Sequence, residues 1–317
     1  MAKLQSSEIV GVENRPATIC SNTMCFWFDT TNFKTVISYC GYLGAWSAGG
    51  SLITARTKLA GAGTQNEGLA FGGSVGTCTE EYNGTTWSAG GALITGRNYL
   101  AGAGTQNEGL AFGGSVGTCT EEYNGTSWSA GGTLITGRNS LAGAGTQNEA
   151  LAAGGVLGPK CTEEYNGTSW SAGGALLYNR CFLAGVGTQN VGFVFGGCVS
   201  LIFYDSAEEY NGTSWSVGGS LNEFRGYLGG IGTQNASLAV GGAINGVIIF
   251  NSTEEYDGNT WSRGGFLINS RANSGDLGTN SLGLVMGGET DPYFEGGSPL
   301  LCTEEYNTTL TIIDKYI

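Results

Sequence analysis

The chain has no histidine. Without an imidazole, no Ser-His-Asp triad can be assembled, and the commonest nitrogen ligand for zinc or copper is missing. Cysteine does not replace it as a ligand, because none of the 9 cysteines falls in a C-x-x-C pair. Basic charge is scarce: 13 lysines and arginines face 26 aspartates and glutamates, for a net charge of −13 and a pI near 4.4. A phosphate backbone would be repelled, so nucleic acid is not an expected partner. No run approaches the ~18 apolar residues of a membrane span, and the opening MAKLQSSEIVGVENRPATIC lacks the apolar stretch of a secretion signal. The expectation is a protein made in a cytoplasm that does not insert in a membrane. Prolines number 4 against 58 glycines, without a G-x-y period. The glycines must therefore serve turns and close backbone approach in a chain of many short strands.

What is present is repetition. Tryptophan recurs at Trp46, Trp87, Trp128, Trp170, Trp215 and Trp261, and ten residues after each comes an arginine: Arg56, Arg97, Arg138, Arg180, Arg225 and Arg271. A glycine pair starts sixteen residues further on, at Gly72, Gly113, Gly154, Gly196, Gly241 and Gly287. Tyr82, Tyr123, Tyr165, Tyr210, Tyr256 and Tyr306 close the units. Length varies only between the glycine pair and the tyrosine. Each unit predicts four short strands: LAGAG, a polar TQN turn, GLAFGG, the variable loop, CTEEY, an NGT turn and WSAGG. The NGT at Asn83, Asn124, Asn166 and Asn211 matches a glycosylation acceptor, but Asn-Gly is also what the hairpin turn wants, and the turn is the expectation. No segment carries a helical apolar stripe of useful length.

Six four-stranded units with paired glycines, a tyrosine, a tryptophan five later and an arginine resemble the kelch repeat. The resemblance implies an all-β, six-bladed β-propeller over residues 35–317; a parallel β-solenoid is the alternative. Residues 35–50 form the second half of a unit with no first half before it, while the last copy, CTEEYNTTLTIIDKYI, has lost its tryptophan. Either the segment at Trp46 closes the final blade, or LTIIDKY closes its own. Residues 1–34 are expected to be a tether. The stretch FWFDTTNFKTVISYCGYLGAW (26–46) is similar to a short hairpin module of bacteriophage tail-fibre and related virion proteins, although Cys40 replaces its usual asparagine.

The paired glutamates cannot converge on one substrate, because neighbouring strand residues face opposite ways. The first of each pair, Glu80, Glu121, Glu163, Glu208, Glu254 and Glu304, shares the tyrosine's face and is expected to be buried. A buried carboxylate needs a partner. The once-per-unit arginines at positions 56, 97, 138, 180, 225 and 271 supply one, so a structural Glu–Arg ring between blades is expected. Cys78, Cys119, Cys161 and Cys302 occupy one repeat position, which reads Ser206 and Ser252 elsewhere, so they are expected to be reduced, half-buried and not ligands.

No enzyme, metal or cofactor is expected. Near-identical copies make scaffold, whereas an active site needs one unique constellation. A galactose-oxidase-like copper site would need histidines. EYDGNTW, around Asp257, approaches a sialidase Asp box but lacks its spacer. Recognition is therefore expected on the loops that were not copied, which lengthen toward the C-terminal half. They carry Phe203, Tyr204, Ile249, Phe250, Tyr293 and Phe294, expected as an exposed binding rim for a host surface protein or glycan. The resemblance implies a virion appendage of tail-fibre or decoration type, made in the host cytoplasm. Residues 1–34 would join it to other virion proteins, with multiple copies per particle. The alternatives are a cellular kelch-like adaptor or lectin, and a glycan-cleaving enzyme using Asp257 or Glu295.

Overall fold

A computed structural model describes the backbone of residues 24–29, 34–245, 248–290 and 298–316, and side chains over 44–245, 248–290 and 298–308. The chain divides into two compact units, one of Trp46–Asn307 and one combining Met1–Ala45 with Thr308–Ile317. In the second of these, Met24–Asp29 pairs antiparallel with the strand that starts at Lys34, Met24 opposite Tyr39 and Asp29 opposite Lys34.

The larger unit is a six-bladed β-propeller, with no helix among the described residues. In blade 1 the strands, from the axis outward, are Ala60–Thr64, Glu67–Phe71, Thr79–Tyr82 and Trp87–Ala89. Blades 2 to 5 repeat this order, with innermost strands beginning at Ala101, Ala142, Ala184 and Gly229. Blade 6 takes its inner three strands from Gly275–Gly278, Leu282–Met286 and the strand beginning at Thr303. Its fourth strand is the one ending at Ala48. Gly49 N donates to Thr303 O at 2.9 Å, and Ser47 Oγ to Glu305 O. The N-terminal segment therefore closes the ring, and LTIIDKY continues the third strand of blade 6 instead of turning back as a fourth.

The local sequence explains each strand. The innermost strand alternates small buried alanines with glycines facing the axis, because neighbouring inner strands converge there: a Cβ on Gly102 would lie 2.6 Å from Gly61 O. The second strand, GLAF, is buried on both faces and has no polar side. Its residues feed six separate apolar clusters, each between two adjacent blades; Leu110 and Phe112 of blade 2, for example, meet Ala150, Tyr165 and Trp170 of blade 3. The glycine pair sits at φ 68° and 92° in blade 1, a left-handed turn that a side chain would strain. Asn83 Oδ1 accepts from Thr85 N and Thr86 N, so the NGT asparagine caps its own hairpin.

Candidate functional site

The arginines are fully buried and each meets its glutamate: Arg56 Nη2 lies 3.1 Å from Glu80, Arg97 3.4 Å from Glu121 and Arg180 2.7 Å from Glu208. Arg138 pairs with Glu163, Arg225 with Glu254 and Arg271 with Glu304. Each arginine sits on the crossing that enters a blade, and each glutamate on that blade's third strand. The pair thus ties a crossing to the blade it leads into and does not bridge two finished blades. The remaining carboxylate lone pairs accept from the crossing backbone: Ile53 N donates to Glu80 at 2.6 Å and Thr54 N at 3.3 Å. Burial draws the Arg180 guanidinium below its ordinary range, and Glu208 opposes that shift.

Bonds between blades come from groups the sequence reading left unpaired. The tyrosine hydroxyl donates to the second glutamate of the preceding blade: Tyr82 to Glu305 at 2.6 Å, Tyr123 to Glu81 at 2.5 Å, Tyr256 to Glu209 at 3.1 Å, and likewise Tyr165 to Glu122, Tyr210 to Glu164 and Tyr306 to Glu255. Burial first, then this bond, pushes Tyr82, Tyr123, Tyr165 and Tyr210 up to about 12. Tryptophan Nε1 makes a parallel ring by donating to a threonine one blade back, as in Trp128 to Thr79 at 3.0 Å and Trp46 to Thr253 at 2.9 Å. A third set is the TQN glutamine, which bonds two carbonyls of the neighbouring blade; Gln106 donates to Gly68 O and Tyr82 O. These partners lie in different repeats, so spacing within one unit could not disclose them.

At the axis, the position two after each arginine is left-handed without being glycine: Lys58, Tyr99, Ser140, Phe182, Tyr227 and Asn273 have φ between 54° and 62°. Their backbones form a closed ring, each N–H donating to the carbonyl of the residue one blade back at 2.8–3.0 Å, with Lys58 N donating to Asn273 O. Only tyrosine occurs twice among the six side chains, which line the mouth. Phe182 packs at a tilt against Tyr227 with centroids 4.1 Å apart, Tyr99 meets Phe182 edge-on at 5.7 Å, and Lys58 lies over Tyr99 while reaching Glu289. Together these residues line a 90 Å3 pocket at the mouth. Position-by-position variation between copies is the signal that could have found this hub, since Lys58/Tyr99 is one of the few differences between the first two units. Beneath it, a cavity of 140 Å3 is lined mostly by inner-strand glycines and alanines, and by Asp276.

The uncopied loops lie on the same face as the crossings. Two fold into extra hairpins, Cys198–Val199 with Ile202–Phe203 and Ala243–Ile244 with Ile248–Ile249. Phe203, expected on the surface, is only 8% exposed, because its hairpin folds back and brings it against Gly226 and within 6.4 Å of the Tyr227 ring. Tyr204 and Phe250, half-buried, lie against the Arg180 and Arg225 guanidinium groups at 5.7 and 5.3 Å. Ile249 is half-buried. Tyr293, Phe294 and Glu295 lie outside the described residues, as do residues 1–23 and 30–33 of the expected tether. Asp257 is spent on its own turn, accepting from Thr260 N and Asn259 N, which lowers its carboxyl below the ordinary range.

Exposed apolar groups on this face come from the uncopied loops, with Leu157 81% and Leu201 63% exposed, and from the crossings. Ile53, Ile94, Ile135, Leu177 and Ile268 are 40–61% exposed. Each has its backbone N–H held by the buried glutamate, which leaves the side chain pointing away. The sixth crossing carries Asn222 instead, its amide bonded to Glu254 and Trp261 O. Beside it a 250 Å3 groove is lined by Glu223, Ser262 and Arg263 among others.

No family model matches the chain, and no curated protein matches it either. Among solved structures it is similar to the one titled "Structure of YjhT", with a TM-score of 0.69 over 83% of this chain and 99% of that one, at 16% identity. At that identity the likeness concerns the fold alone.

Proposed function

We propose that this propeller is a non-catalytic presenting module of a bacteriophage virion, a tail-fibre or decoration type appendage whose crossing face meets a partner. The observation that carries the reading is how the copied side chains are used. Arginine, both glutamates, tyrosine, tryptophan and glutamine are committed to bonds within and between blades, while the crossings expose a circle of isoleucine and leucine. Such a circle suits contact with a protein surface. The kelch-like spacing and the tail-fibre-like hairpin at 26–46 support the virion assignment, with residues 1–34 as the attachment to other virion proteins. Many copies per particle would let individually weak contacts act together.

Mass spectrometry of density-purified particles, with peptide counts set against the major capsid protein, tests the reading. Stoichiometric presence is expected. Recovery only from the cell extract overturns it and favours a cellular adaptor or lectin, the second reading, for which the polar groove beside Glu223 and Arg263 would be the first place to look.

A further inference from the structure

In unit 4 alone, two positions that face each other across a backbone pair are both cysteine. The equivalent pairs elsewhere are Thr57 with Ser74, Asn98 with Ser115, Asn139 with Val156, Gly226 with Ala243 and Ala272 with Glu289. Cys181 and Cys198 form an antiparallel bridge with both main-chain bonds made, Cys181 N to Cys198 O at 3.0 Å and Cys198 N to Cys181 O at 2.8 Å. Directly opposed residues put their side chains on one face with Cα atoms about 5.5 Å apart, inside the span a disulfide bridges. The Cys181 sulfur already reaches across to Cys198 O at 3.0 Å. Both residues are reduced and buried, in contrast to the half-buried Cys78, Cys119, Cys161 and Cys302.

We propose that Cys181 and Cys198 are a cross-linking site, converted to a disulfide by hydrogen peroxide. The Cys181 thiolate attacks one peroxide oxygen and the O–O bond breaks, giving a Cys181 sulfenic acid and, after one proton is taken up, a first water. The Cys198 sulfur then attacks the Cys181 sulfur, the S–O bond breaks, and the thiol proton leaves with the hydroxyl as a second water. Two thiols lose two electrons in all and the peroxide gains two. The division of roles follows the environment: a bond from the Cys198 thiol draws Cys181 below the ordinary thiol range, and the same bond, with burial, pushes Cys198 up. A cross-link at a hydrogen-bonded strand pair is geometrically tight, so it is readily reduced again. It would fasten the root of the extra hairpin of blade 4 to the crossing beside the Phe182–Tyr227 pair.

The test is to treat the reduced full chain with one equivalent of hydrogen peroxide, block remaining thiols, and digest with chymotrypsin, which cuts between the two cysteines. The expected result is a cross-linked peptide pair joining Cys181 to Cys198, lighter by two hydrogens, formed before the other four described cysteines react. Cys198→Ser installs the residue that units 1 and 2 carry at this position and is expected to fold. In it, Cys181 should stall as a sulfenic acid that dimedone traps, several-fold above the unsubstituted protein. The proposal is overturned if both cysteines stay alkylatable while Cys78, Cys119, Cys161 or Cys302 oxidise, if Cys181 is found linked to another cysteine, or if dimedone labels Cys181 equally in both proteins.

Discussion

At Asp276 the sixth unit carries a carboxyl where the other five carry Gly61, Gly102, Gly143, Gly185 and Gly230. The half-buried side chain borders the axial cavity of 140 Å3. Burial pushes it up to about 7, against the opposing bonds from Gly230 N and Ser274. Because the folded-state value lies above the ordinary carboxylate value, the folded protein holds the proton more tightly than the unfolded chain does. The contribution of this group to stability is full below about pH 4 and is lost as pH rises through 7. Asp276→Asn should be near neutral at pH 4 and stabilising at pH 8 by about 1–3 kcal/mol, less than the full shift because the carboxyl is only half-buried and solvent screens its charge. Denaturant unfolding of both proteins at the two pH values measures this; equal differences at both would show that the carboxyl is not the cause. The Arg–Glu pairs were legible at this scale because both partners recur at fixed spacing and a buried charge demands a partner. Asp276 was not singled out in the sequence, because an acid in a glycine column gains meaning only once that column is known to face the axis.

Among elements, the contacts that matter run from one blade to the next. Blade 4 supplies a natural variant of the tryptophan ring. Its third strand begins with Ala207 in place of threonine, and Trp261 of blade 5 donates instead to Gly219 O at 2.8 Å. Thr79→Ala should therefore cost little, about 0.5–1 kcal/mol by denaturant unfolding, because Trp128 can turn to an equivalent carbonyl. A loss above about 2 kcal/mol would mean that its indole N–H is left unpaired. The strand pattern was legible in the sequence from its period and its Asn-Gly turns. The register between blades was not: the Tyr–Glu and Gln–carbonyl bonds join residues of different copies, and identical copies cannot say which neighbour they touch. The loop hairpins misled for a related reason, since Phe203 sits in a loop by sequence but in a small apolar pocket once that loop folds back.

For the whole molecule, the circle depends on Trp46. It is 8% exposed, packs at a tilt against Tyr306 with centroids 5.0 Å apart, and bonds Thr253 of blade 5. Trp46→Ala should lower stability by about 3–5 kcal/mol, with faster hydrogen exchange concentrated in blades 5, 6 and 1. A uniform rise across all blades would indicate that the seam is no weaker than any other interface. Closure by the N-terminal segment was one of two options the sequence left open, because a missing tryptophan at one end and a half-unit at the other are complementary without saying which segment pairs.

That seam also sets a timetable. The strand that completes the last blade leaves the ribosome ahead of blades 1 to 5, and its partner at Thr303 leaves after them. At roughly 5–20 residues per second, Trp46 waits on the order of 10–50 seconds for Tyr306. Through that interval the growing chain is an arc with an apolar edge at each end, and a chaperone, or a second nascent arc, has time to find it.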